Sequence, residues 1–87
     1  MKYYVCVWSN DYDSGAEIGR VIDNYPKVSL EDDGGTGFKD IQLYPNIEGC
    51  IVYLRLAYDF PLSDLKIKNE TLTKEEIEEI NTLKCAV

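Results

Sequence analysis

Acidic side chains are the groups in this sequence with the greatest capacity for chemistry. The chain has 16 Asp and Glu against 9 Lys and Arg, no histidine, and a formal net charge of −7 over 87 residues. Histidine is the most frequent general base and a frequent metal ligand, and a serine or cysteine nucleophile usually depends on it. At this density of carboxylates, a close pair is expected by chance. The composition therefore argues against an enzyme, and we expect no catalytic residue, no metal site and no cofactor.

Two segments resemble ion-binding loops but lack features that such loops require. Counted from Asp11, residues 11–17 lack the fifth-position ligand, the sixth-position glycine and the distant bidentate glutamate of a calcium loop. The glycine-rich run at 34–37 precedes a predicted strand, whereas a phosphate-binding loop needs a following helix N-terminus. A polar loop and a hairpin turn explain the two segments.

Acidic surfaces are the remaining candidates for function. Side chains three and four residues apart on a helix lie about 5–6 Å from each other, a scale similar to that of neighbouring phosphates on a nucleic-acid strand. An aromatic side chain between two acids is a further candidate, because tyrosine is a favoured interface anchor. The candidate partner-binding residues are acidic or flanked by acids: Glu75, Glu78, Glu79, Asp11, Tyr12, Asp13, Asp32 and Asp33.

The charge also indicates which partners to expect. Phosphate contacts dominate nucleic-acid affinity, so an acidic protein is repelled by nucleic acid and by anionic membranes. We therefore expect a protein partner with a basic surface, no direct binding to nucleic acid and no membrane. The leading hypothesis is an inhibitor that docks on a nucleic-acid-binding site as a DNA mimic, by analogy with small phage-encoded anti-defence proteins, including anti-CRISPRs. One alternative is an oligomeric small-ligand-binding module or sponge, for which a homodimer is possible. A second alternative is a regulatory subunit.

The cysteines indicate the environment of the chain. Cys6, Cys50 and Cys85 are an odd number at wide spacings, which favours reduced, buried thiols in a cytoplasmic protein over disulfides. The apolar run that follows Lys2 ends at Ser9, too soon for a membrane span or a signal peptide. The length predicts a single domain over residues 1–87.

The predicted fold class is α+β: a small antiparallel sheet of three to five strands, in the order β-α-β-β-β-(β)-α, with two helices packed on it. Residues 2–8 predict a strand with two apolar faces, either central in the sheet or an assembly surface. The signature Ser14-x-x-Glu17, followed by apolar residues at i, i+3, i+4 and i+7, predicts a helix over 14–25.

The second half of the chain is predicted to form a meander and a closing helix. Strands are expected at 27–31, 38–44 and 50–58, and residues 62–67 are expected to form an edge strand or an irregular crossing. Thr73 and Glu76 form a capping box for a helix over 74–84. Its core-facing stripe is Ile77, Ile80 and Leu83.

Overall fold

A computed structural model describes residues 3–10, 15–23, 25–26 and 39–85 and confirms the α+β class, with a mixed sheet and two helices. The candidate residues Asp11, Tyr12, Asp13, Asp32 and Asp33 lie outside the described residues, as does the predicted strand at 27–31. The described elements, in chain order, are β1 (Tyr4–Ser9), β2 (Gly15–Ile22), β3 (Tyr25–Pro26), β4 (Lys39–Tyr44), α1 (Ile47–Tyr58), a 3₁₀ turn (Leu62–Asp64), β5 (Lys66–Ile67), a second 3₁₀ turn (Asn69–Thr71) and α2 (Lys74–Cys85).

The sheet is ordered β3-β2-β1-β4, with β1 antiparallel to both of its neighbours. Two short strands share the other edge of β2: β3 pairs antiparallel with its end, and β5 pairs parallel with its middle. The parallel pair corrects the prediction of a purely antiparallel sheet. It arises because the chain returns to β2 after crossing the layer that contains α1.

The first strand is the centre of the fold. Tyr4 and Cys6 belong to the core beneath the helices. Val5 and Val7, which point to the opposite face, are also fully buried and pack with Val21. β1 is therefore a central strand covered on both faces within one chain, and the alternative of β1 as an assembly surface is wrong.

The predicted helix at 14–25 is wrong, because this segment forms β2. The two glycines in the segment would each cost a helix about 1 kcal/mol relative to alanine. In the extended form, Ala16 and Ile18 point together into the core beneath the helices, and the strand has hydrogen-bonded neighbours on both edges. Tertiary pairing therefore outweighs the local helical pattern.

Close backbone approach adds a second reason for the extended form. A Cβ atom on Gly19 would lie 3.1 Å from both Lys68 Cβ and Thr71 Oγ1, so glycine fits here without a shift of its neighbours. The Arg20 N–H donates to Thr71 Oγ1 at 3.0 Å, and the Lys68 N–H donates to the Ile18 carbonyl at 2.9 Å. These bonds fasten the segment after β5 to the edge of β2.

The predicted strand at 50–58 is also wrong, because this segment lies within α1. The Asn46 side chain caps the helix by accepting the Gly49 N–H at 2.6 Å. At the other end, Asp59 adopts a left-handed conformation (φ 49°) and its N–H donates to the Arg55 carbonyl at 3.0 Å. The buried residues are spaced i, i+3, i+4 and i+7, as one helical face requires: Ile47, Cys50, Ile51 and Leu54.

The remaining secondary-structure predictions for the described residues agree with the structure, whereas the expectation of a buried Cys85 is wrong. The strand predicted at 38–44 is β4, and the helix predicted at 74–84 is α2. In α2, Ile80 is completely buried, Leu83 packs against the core and Ile77 is half-buried. The segment 62–67 combines a 3₁₀ turn with the two-residue strand β5. Cys6 and Cys50 are buried free thiols, whereas Cys85 is exposed.

Candidate functional site

One buried carboxylate sets the orientation of α2. Glu76 Oε1 accepts the Thr73 N–H at 2.8 Å, and Thr73 Oγ1 accepts the Glu76 N–H at 3.2 Å, which confirms the predicted capping box. Glu76 Oε2 also accepts the Tyr4 hydroxyl, and Arg20 Nη1 lies 3.7 Å from Oε1. This side chain therefore joins β1, β2 and α2, and it fixes which face of α2 points outward.

The charge state of this junction is well defined. Burial alone would raise the pKa of Glu76, but the hydrogen bonds from Thr73 and Tyr4 and the nearby Arg20 guanidinium hold it below its ordinary value. Burial and the hydrogen bond to Glu76 raise the pKa of Tyr4 to about 12. At neutral pH, Glu76 is therefore an anion that accepts a hydrogen bond from the neutral Tyr4 hydroxyl.

The other glutamates of α2 lie on its solvent-exposed side. Glu75, Glu78 and Glu79 are exposed, whereas Ile80 on the opposite side is buried. They are the three predicted partner-binding residues that the structure describes. They occupy neighbouring positions on successive turns, and we call them the acidic face.

A second carboxylate fixes α1 against the sheet. Asp40 on β4 accepts hydroxyl hydrogen bonds from Tyr53 and Tyr58 at Oδ2, and Gln42 Nε2 lies 2.7 Å from its Oδ1. Trp8 stacks on Tyr58, with ring centroids 4.2 Å apart and planes 4° from parallel. This arrangement sets the rotation of α1 about its axis, as Glu76 does for α2.

Asp40 is ionised although it is partly buried. Burial would raise its pKa, but the hydrogen bonds from Tyr53, Tyr58 and Gln42 hold it below the ordinary value. Burial, followed by the hydrogen bond to Asp40, raises the pKa of Tyr58 well above its usual value. The phenols therefore act as donors to a fixed anion, which is a structural role.

The rotation of α1 leaves two large apolar side chains in solvent. Leu56 is 83% exposed and Val52 is 43% exposed. Together with Arg55 and Asp59 they line a shallow depression on the outer side of the helix. We call these four residues the α1 outer patch. The sequence prediction missed it, because residues 50–58 were predicted to form a strand.

The two surfaces lie in the same layer of the fold. α1 and α2 contact each other, and both contribute to the core on one side of the sheet. That layer therefore presents an acidic face on one helix and an apolar, mixed-charge patch on the other. This arrangement places exposed charge and exposed apolar area on neighbouring helices.

The described residues lack a metal-binding cluster and a membrane-spanning helix. Among the described residues, no group of three or more Cys, Asp or Glu side chains is arranged to hold a metal ion. In the same part of the chain, no helix has the length and apolar character needed to cross a membrane. No protein-family model, curated protein or solved structure matches the chain with significance.

Proposed function

We propose that this protein is a small acidic interaction module that acts by binding, with the acidic face of α2 docked on a basic surface of another protein. The observation that carries the proposal is the division of the glutamates on α2. Glu76 is buried and contacts Tyr4 on β1, Arg20 on β2 and the cap residue Thr73, whereas Glu75, Glu78 and Glu79 are exposed. The acidic face is thus presented on a helix whose rotation is fixed.

Fixed presentation favours binding over a purely solubilising role. Exposed glutamates on a mobile helix would lose side-chain and backbone freedom on docking, a cost that a preorganised surface reduces. The rest of the chain adds to the attraction, because a net charge of −7 steers the protein towards positive surfaces.

The partner surface that fits this face best is one that otherwise holds nucleic acid. Neighbouring glutamates on the acidic face are about 5–6 Å apart, a scale similar to that of successive phosphates. Lysine and arginine side chains that bind phosphates also bind carboxylates. We therefore propose an inhibitor that competes with nucleic acid for a basic groove.

The test begins with the wild-type protein as bait in a lysate of its own source cells, followed by purification of the retained protein. Binding is then measured with the two purified components by titration calorimetry at several salt concentrations. The affinity of the variant E75K/E78K/E79K should be lower by at least about tenfold, because attraction becomes repulsion at each contact. Affinity should fall as salt rises, since the Debye length shortens from about 10 Å at 0.1 M.

A matched control separates local contact from total charge. E48K/D64K/E70K makes the same change in net charge at three exposed positions outside α2, so it should keep most of the affinity. Displacement of a labelled oligonucleotide from the partner tests the competitive mechanism directly. Equal binding by wild type and the α2 variant, without salt dependence, would show that the acidic face serves solubility.

A further inference from the structure

We propose that the α1 outer patch is a self-association surface on which two copies of this chain pack their α1 helices antiparallel, about a two-fold axis through Leu56. The inference is independent of the acidic face, since it uses a different helix. It assigns a partner to the exposed apolar surface that the proposed function leaves unused.

The spacing of the patch matches the geometry of helix packing. Its members stand at i, i+3, i+4 and i+7 along α1, so they share one face of the helix and can meet a facing helix together. They line a shallow depression on that face. Leu56 is the most exposed large apolar residue described, and with the two-fold axis at this position the Leu56 side chains of the two copies meet across the seam.

The charges of the patch select a second copy as the occupant and fix its direction. On a helical wheel of 100° per residue, Val52 and Leu56 define the centre of the apolar contact. Arg55 lies about 80° from this centre and Asp59 about 40° from it, both in the same direction. A two-fold axis perpendicular to the helices keeps them on one side of the seam. With Leu56 on the axis, Asp59 of one copy falls two residues from Arg55 of the other, about 3 Å along the helix.

Antiparallel packing therefore forms the Arg55–Asp59 pair twice, whereas parallel packing places the two charges on opposite sides of the seam. The ion pairs formed among the described residues involve Arg20 and Lys68, so Arg55 remains available for a partner. A patch with one cation and one anion complements itself, whereas a basic partner is better suited to the acidic face. The net charge of −7 opposes association, and the dimer is therefore weak and strengthened by salt.

Sedimentation velocity over a concentration series up to about 1 mM, a range that covers millimolar dissociation constants, measures this association. The wild-type protein should show a reversible monomer–dimer equilibrium. Leu56→Gln should weaken it by at least about tenfold, because it removes the central apolar contact without changing the charge. Leu43→Gln is the matched control: Leu43 is 50% exposed but lies on β4, so this variant should dimerise as wild type does.

Charge exchange tests the antiparallel geometry. Arg55→Glu places two anions together and should weaken the dimer, whereas R55E/D59K restores opposite charges and should recover most of the affinity. Circular dichroism and Trp8 fluorescence verify that each variant is folded. The E75K/E78K/E79K variant should still dimerise although it no longer binds the basic partner. A failure of the dimer proposal and a failure of the proposed function therefore give different results.

Three results would overturn the inference. They are a wild-type monomer up to about 1 mM, equal dimerisation of wild type and Leu56→Gln, and failure of the folded charge-exchange variant to recover affinity. The first would leave the patch for a different protein. The second would place the dimer contact elsewhere, and the third would exclude the antiparallel pairing.

Discussion

Replacing Asp40 by asparagine tests whether a single anion holds α1 on the sheet. Asparagine keeps the shape and one acceptor oxygen, so Tyr53 and Tyr58 retain a hydrogen-bond acceptor. The variant loses the negative charge. In the wild type, Gln42 Nε2 donates to Asp40 Oδ1, and the variant places an amide N–H₂ at that position instead. The Gln42 amide can turn by 180° so that its oxygen accepts from this N–H₂, and the change is then confined to the electrostatics of three hydrogen bonds.

The magnitude follows from the number of those bonds. A hydrogen bond to a charged group contributes about 1.5–3 kcal/mol, against about 0.5–1.5 kcal/mol for a neutral one. Three conversions would therefore cost about 3 kcal/mol in a dry site. Asp40 and both tyrosines are partly exposed, and water compensates for part of the loss. We expect the free energy of unfolding to fall by about 2 kcal/mol, or the Tm by about 10 °C for a domain of this size.

Urea denaturation followed by tryptophan fluorescence provides the assay. Trp8 is the one tryptophan in the chain and stacks on Tyr58, so it reports on this cluster directly. Asp64→Asn, an exposed aspartate on a 3₁₀ turn, is the matched control and should change stability by less than about 0.5 kcal/mol.

The dependence on pH distinguishes charge from packing. The folded pKa of Asp40 lies below its ordinary value of 3.8, so its contribution is present above that pH and is lost as the pH falls through the folded pKa. The difference in stability between wild type and Asp40→Asn should be constant above about pH 5 and should shrink below about pH 4. A loss under about 0.5 kcal/mol, or a difference unchanged at low pH, would refute the role of the anion.

Three further predictions address the elements that present the two surfaces. Ile80→Ala should lower the free energy of unfolding by about 2–5 kcal/mol, because Ile80 is completely buried; a loss in urea denaturation below about 0.5 kcal/mol would mean that this face of α2 is exposed. Asn46→Ala should cost about 1 kcal/mol through loss of the α1 cap, and Asn46→Asp should restore most of it, in the same assay. Tyr4→Phe should cost about 1–3 kcal/mol by removing a donor from buried Glu76, and a thermal melt matching wild type would show that the hydroxyl bond contributes nothing.

The sequence was sufficient for the fold class, for β1, β4 and α2, and for the capping box. These elements have local signals that agree with their tertiary environment. The two errors of secondary structure among the described residues, at β2 and α1, fall where short apolar runs fit both periods. In β2, Ile18, Val21 and Ile22 are spaced as on a helix, but β-branched residues also favour strands.

The error at α1 has a specific cause in the exposed patch. The buried positions of α1 carry a helical pattern that begins directly after Asn46, and this signal was sufficient to identify the helix. Val52 and Leu56 obscured it, because two apolar residues on the outer face create an apparent alternation with Leu54. Residues that break a local pattern are often functional, which agrees with the surface role proposed for them.

The acidic face was predicted from sequence because its spacing is local to one helix. The contacts that Asp40 and Glu76 make with distant tyrosines could not be predicted from local spacing. Asp40 and its tyrosines are separated by 13 and 18 residues, and Tyr4 and Glu76 by 72 residues. Such contacts depend on how the elements pack, which no local pattern encodes.

The pairing of β2 with β5 has a consequence for how the protein reaches its folded state. Its partners Glu17 and Lys66 stand 49 positions apart, so we expect this edge to close after the neighbouring β1–β2 pair, whose chain connection is short. Until then, the middle of β2 is an open strand edge on which another nascent chain can pair. Because the net charge of −7 makes such chains repel one another during that interval, we expect the acidic composition to oppose this pairing while the protein folds.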